Sequence, residues 1–300
     1  SIFIVDVFVE KFSGTNMLGF GDETTNGVNQ TRIVSFFKDE AIAGAFINGF
    51  IFIIIGYLLM NSKYKNFPLV VTILFFILSL VAVLLTGERS NTIKAFIGFT
   101  IFLFFLDFVK FKIKLFFLFF ISGLLITIVL SSDYLKLRYI GQLYYFLSLK
   151  EKNLKVFSLE NNNYIKLYKS GFEVFKNHPF LGVGTKNYRV ETCKKNDKGL
   201  NYVCNTHPHQ IYIELLSEHG ILGFILILFI LFFLTFRILK QIIISRNHVQ
   251  IGSFIYILVN FIPLLPSGSF FSDFNLTLFM INFSIMYGVN EKTNIFSSKN

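Results

Sequence analysis

A chain of 300 residues that is 53% hydrophobic and only 15% charged is too apolar for a soluble globular domain, in which roughly 25% of residues are charged. With a mean hydropathy of +0.60 it reads as an integral membrane protein. A net charge of +10 would point a soluble protein toward nucleic acid; in a membrane protein no nucleic-acid partner is expected, and loop topology and anionic lipid or pyrophosphate ligands are the better readings.

Taken in order, residues 1–41 read as a mostly polar, membrane-adjacent segment that opens in the apolar run "SIFIVDVFV". Asp6 interrupts that run and no basic stretch precedes it, which argues against a signal peptide. The lack of an initiator Met is what a fragment would show. Spans are expected at about 42–60, 68–85, 93–109 and 115–130, followed by a loop over 131–210. Three more are expected: one running to Phe236, then about 248–265 and 274–289. Each approaches the ~20 residues that cross a bilayer. The expected fold is therefore all-α, a polytopic transmembrane helical bundle of about seven spans in one domain, with a large helical loop on one side.

Lysine and arginine in the short loops set the orientation. Lys63, Lys65, Lys110, Lys112, Lys114, Arg237, Lys240, Arg246, Lys292 and Lys299 fall on one side, whereas the opposite short loops, 86–92 and 266–273, hold only Arg89. Positive charge is retained on the cytoplasmic side, so the 131–210 loop is expected outside. In that oxidising compartment Cys193 and Cys204, the two cysteines of the chain, favour a disulfide. Zinc held by Cys193, Cys204, His207 and His209, or two unrelated thiols, are the alternatives; the spacing matches no common structural zinc site.

The densest polar signal is "CNTHPHQIYIELLSEHGILGF", where a loop enters a long apolar helix. Histidine at a membrane edge is costly unless solvated, paired or functional. Held near the helix start, His209 suits a general base that takes a proton from a sugar hydroxyl. Leu216, Gly220 and Gly223 share its helical face, and the two glycines would let a neighbouring helix approach. Alternatively His207 and His209 merely cap and solvate the helix start. Arg89, in "TGERSN", offers a guanidinium fork for phosphate; alternatively it snorkels to headgroups or pairs with Glu88.

"NHPFLGVGTKNY" followed by "CNTHPHQIYIELLSEHGILGF" resembles the signature of the O-antigen ligase and O-antigen polymerase superfamily, a "P-x-x-G-x-G" turn, then "H-P-H-N-x-Y" and "E-x-G-x-x-G". Residues 31–50, "TGERSN" and "PLLPSGSFFSDF" at 263–274 resemble further family segments. That family usually has about five further helices upstream, so a shortened chain is expected. The resemblance implies a metal-independent and cofactor-free glycosyltransferase at the outer face of the bacterial inner membrane, its long loop in the periplasm. The donor would be a glycan on undecaprenyl pyrophosphate, and the acceptor lipid A-core (ligase) or another lipid-linked repeat (polymerase).

Carried over residue by residue, His209 and Arg89 would be catalytic, with His207 and Glu218 on the substrate. Two departures stand out. The family's "H-N" is His209-Gln210 here, and the arginine or histidine expected fifteen residues before Pro179 is Tyr164. Arg138, Lys169 or Arg189 would then supply the second cation. A transporter or flippase of lipid-linked glycans is the alternative function. It would place charges within several spans, and Asp107, near a span end, is the one singled out.

Overall fold

The structure is a computed structural model that describes residues 2–21, 32–38, 40–62, 66–141, 163–194 and 202–294. Lys63, Lys65, Lys299 and the loop stretches 142–162 and 195–201 lie outside these residues. The described residues are helical and contain no strand. Three helices are long and apolar enough to cross a membrane, within Ala43–Met60, Phe111–Ser131 and Ile211–Ser245, and Val70–Leu85 and His248–Asn260 are shorter apolar helices. Each of the seven expected spans falls largely or wholly in a helix. Continuous helix is what an apolar medium demands, because only intrachain bonds satisfy the backbone there.

The chain divides into two compact units, one of Ser1–Leu143, Gln241–Asn260 and Ile281–Asn300, the other of Tyr144–Lys240 and Phe261–Met280. In the first, α1 (Ile2–Ser13) precedes α2 (Ala43–Ser62), α3 (Asn66–Leu85), α4 (Arg89–Phe105) and α5 (Phe111–Ser131), and α6 (His248–Asn260) returns to the same bundle. Helix α2 is its centre, packed on α3, α4 and α6. Small residues set the approach: a Cβ on Gly56 would strike the His248 carbonyl, and one on Gly252 would strike the carbonyl of Phe52. Gly98 of α4 admits the Phe52 ring, and Phe76 stacks on Phe99 with ring centroids 3.7 Å apart.

Polar groups inside this bundle are tied to backbone. Asn282 Nδ2 donates to the Gly49 carbonyl at 2.8 Å, and Gln250 Nε2 to that of Met286 at 2.8 Å. Asp107 pairs with Arg246 Nε at 2.8 Å. The spans also hold a second charge that the sequence reading passed over. Lys94 of α4 is 6% exposed and donates from Nζ to Asn260 Oδ1 at 3.2 Å.

The opening segment is less polar in its role than expected. Asp6, which breaks the apolar run, is fully buried: it accepts from Met17 N at 2.8 Å and from the Ser35 hydroxyl. Glu10 accepts from the backbone N–H of Val34 at 2.9 Å and of Ser35 at 2.6 Å. The two acids of α1 thus hold the 32–38 segment.

The second unit contains α7 (Asn163–Asn177), α8 (Tyr188–Thr192) and α9 (Ile211–Arg237). Helix α7 packs on α9, where Gly171 leaves room for Pro208 and Ile213. Tyr188 is fully buried, its hydroxyl 2.8 Å from Ser170 Oγ. Helix α9 breaks at Gly220, with φ 61° and ψ −170°, a backbone state open essentially to glycine alone.

Candidate active site

The break in α9 is filled by the "P-x-x-G-x-G" turn. In an unbroken helix the Ser217 and Glu218 carbonyls would accept from Ile221 N and Leu222 N. Instead they accept from Val183 N at 3.1 Å and Gly184 N at 2.8 Å. The freed donors go to the turn as well: Ile221 N to the Pro179 carbonyl at 2.8 Å and Leu222 N to that of Phe180 at 3.3 Å. Four backbone groups are exchanged for four others, so the kink leaves none of them unpaired. A Cβ on Gly220 would strike the Phe180 carbonyl, and one on Gly182 the Glu218 carbonyl. Gly220 therefore admits the turn rather than a neighbouring helix, and helical-face counting from His209 fails beyond it.

Glu218 belongs to this joint. It is 1% exposed, and its carboxylate accepts from Lys186 N at 2.9 Å. Glu214, one turn earlier, plays the same part for the 263–274 segment: it accepts from Ser269 Oγ at 2.5 Å and Phe270 N at 2.9 Å. Sequence reading missed Glu214; its spacing of four from Glu218 on one helical face was the available signal.

The disulfide Cys193–Cys204 is formed, with Cα atoms 4.5 Å apart. It fastens the end of α8 to the stretch that leads to the histidines. Val203 N donates to Ser170 Oγ at 2.9 Å, which holds that stretch on α7. With both thiols consumed, the zinc alternative loses two of its four ligands. Among the described residues no group of three His, Cys, Asp or Glu is arranged to hold a metal.

His209 takes a positive φ of 57° directly before α9, and its carbonyl accepts from Ser267 N at 3.0 Å. The helix is capped by Gln210, whose side chain accepts from Ile213 N at 2.8 Å. Capping is therefore the work of the amide at the family's Asn position, and the imidazoles are left to other partners. The His207 and His209 rings lie 4.0 Å apart. Tyr164 presents its ring edge-on to His209, with centroids 6.0 Å apart at 86°. Tyr164, fifteen residues before Pro179, is thus next to the histidine.

His207 contacts Thr206 Oγ1 through Nδ1 at 2.9 Å. Burial, then the neighbouring His209 charge, pushes its pKa down to about 4. His207 stays neutral near pH 7 and adds no competing positive charge beside its neighbour.

Arg89 and Arg138 fall in the first unit. Arg89 opens α4, directly after Gly87 and Glu88. Glu88 does not pair with it: its carboxylate accepts from Gly44 N and from Asn91 Nδ2, both at 2.6 Å. Burial pushes the Glu88 carboxyl up, against the pull of the Gly44 N–H. Arg138 Nε donates to the Gly87 carbonyl at 3.0 Å, two residues from Arg89. Arg138 and Arg32 both place charge near the Tyr134 hydroxyl. Arg32, within the family-like 31–50 segment, joins the two arginines at this end of the bundle.

The remaining expected cations, Lys169 and Arg189, lie in the second unit. Lys169 is exposed and five residues on from Tyr164 in α7, about 140° around the helix. Arg189 is exposed on α8, beside the buried Tyr188.

Compared with known proteins, no curated protein matches the chain. A family model described as O-antigen ligase matches residues 74–228. That range runs from α3 through the break in α9 and includes Arg89, Arg138, Tyr164, both cysteines, His209 and Glu218. It takes in more than half of the chain, which therefore belongs to the O-antigen ligase family.

Proposed function

We propose that this chain moves a glycan from undecaprenyl pyrophosphate to lipid A-core or to another lipid-linked repeat at the outer face of the inner membrane, the 131–210 loop lying in the periplasm. His209 takes the proton from the acceptor hydroxyl as its oxygen bonds to the anomeric carbon. The bond from that carbon to the pyrophosphate oxygen breaks, and its electron pair leaves with the pyrophosphate. Arg89 holds that anion, because a guanidinium fork meets two phosphate oxygens at once. Arg138 adds charge at the same end of the bundle, and Lys169 and Arg189 are further candidates for the donor's charged groups. Glu218 serves the site by fixing the turn beneath it.

The observation that carries this reading is the local division of labour at the start of α9. Gln210 caps the helix, the disulfide and Ser170 hold the approach, and His207 remains neutral beside His209. General acid–base catalysis is worth about 10²–10⁴ in rate. Purified protein incubated with radiolabelled lipid-linked glycan and acceptor is expected to form a new glycosidic product, and His209→Ala to form it about 10²–10⁴ times more slowly. Glycan that crosses the membrane but stays on its original lipid would establish the flippase alternative instead.

A further inference from the structure

The tip of the turn that fills the α9 break is apolar and uncovered. Phe180 is 68% exposed and Leu181 75%. Their backbone is part of the helix joint, since Phe180 accepts from Leu222 N, so the two side chains are held at the level of the kink. On α9 itself, exposure changes at the same place. Among the described residues from Ile211 to His219 no large apolar side chain is exposed. From the kink onward Leu222, Leu226, Phe229, Phe233 and Phe236 are each more than half exposed. Their spacings of four, three, four and three put them on one helical stripe.

Length gives a second, independent constraint. From the Gly220 break to its end at Arg237, α9 runs 18 residues, about 27 Å of helix at ~1.5 Å per residue. The hydrocarbon core of a bilayer is about 30 Å thick. The part beyond the break is thus close to the hydrocarbon thickness by itself, and the part before it, Ile211–His219, lacks exposed large apolar side chains. That end also carries Glu214, Ser217 and Glu218, all buried against protein.

We propose that the hydrocarbon boundary on this side lies at the Gly220 kink, with Phe180 and Leu181 immersed in the lipid interface as an anchor. The occupant of this apolar surface is the bilayer, because the tip continues the outward stripe of a helix long and apolar enough to span it. The Lys186–Asp273 ion pair, 2.9 Å apart, then stands at headgroup level. Helix α9 starts nine residues before the kink, about 14 Å of helical rise, so His209, just ahead of that start, works above the headgroups rather than at the edge of the hydrocarbon. The anchor stands whether or not the chain transfers glycans.

The chain contains no tryptophan, so Phe180→Trp introduces a sole indole. The variant is reconstituted in vesicles of phosphatidylethanolamine and phosphatidylglycerol with phosphatidylcholine brominated near either end of its acyl chains. Phe229→Trp serves as the lipid-facing reference and Lys166→Trp, at an exposed α7 position, as the water-facing one. Phe180→Trp is expected to emit to the blue of Lys166→Trp. It should be quenched several-fold more strongly by shallow than by deep bromine, and poorly by aqueous iodide. Leu181→Trp is expected to behave alike and replaces it if Phe180→Trp does not fold. Iodide quenching like that of Lys166→Trp would overturn the proposal, and so would a blue emission quenched by neither agent, the mark of a protein partner covering the tip.

Discussion

The starts of α4 and α9 use the same materials in different ways. At each, a residue of positive φ, Gly87 or His209, precedes the helix, and a buried carboxylate lies close by. At α4 the carboxylate, Glu88, binds Gly44 N, so it joins two helices of one bundle whose connections are short. At α9, Glu214 and Glu218 bind segments that come from both sides in sequence, the 263–274 stretch and the 179–186 turn. In both places each acid accepts at least one backbone N–H rather than pairing with a nearby base. The α4 end is built by helix packing, whereas the α9 end is built by interlocked loops whose keystone is a single glycine.

That contrast is broken most directly at Gly220. Gly220→Ala forces a side chain into a backbone state that costs about 1–3 kcal/mol, and its Cβ also collides with the Phe180 backbone. A marked drop in the thermal unfolding midpoint in detergent is expected, with faster proteolysis of the outer loop. Gly123→Ala, in α5 where a Cβ meets nothing within 4 Å, is the comparison. It should be neutral, or stabilising by about 0.5–1 kcal/mol from helix propensity. Equal behaviour of the two variants would refute the interlocked joint.

A smaller effect is expected from pH. His207 has a folded pKa of about 4 against an ordinary value of 6.5, so the folded state resists protonation. Between those values the unfolded chain takes up a proton that the folded chain does not, and stability falls as pH falls through that window. Above about 6.5 the contribution is flat. The slope cannot exceed about 1.4 kcal/mol per pH unit for one proton. Unfolding measured from pH 7 to pH 4 should show a shallower decline for His207→Gln than for the native chain. Identical slopes would place His207 in a more solvated setting than the one described.

Much of this architecture was legible because helix location follows from hydropathy alone. The disulfide and the placement of His209 directly before a helix followed from compartment and local pattern. The unreadable part was long-range. Nothing in "HPFLGVG" announces that its carbonyls replace those of a helix some forty residues on, because the pairing is between backbones and leaves no side-chain pattern. The glycines are visible in the sequence, but helical spacing points to a neighbouring helix as the partner of Gly220, where the structure has the turn. Gln210 looked like a departure from the family's asparagine, and its amide turns out to be the cap of α9. Asp6 interrupts an apolar run, yet it and Glu10 are buried acceptors for a segment 24–29 residues away.

In the proposed reaction Arg89 holds the donor and His209 activates the acceptor. Donor binding and single-turnover transfer measured side by side in His209→Ala and Arg89→Ala test it most directly. His209→Ala should bind lipid-linked donor as the native chain does, with transfer slowed about 10²–10⁴-fold. Arg89→Ala should weaken donor binding about 10–100-fold, the loss of charge-assisted hydrogen bonds worth about 1.5–3 kcal/mol. Arg89→Lys should recover part of that, since a point charge lacks the fork. His207→Ala should be milder than either. A folded His209→Ala protein that transfers glycan at close to the native rate would contradict the account.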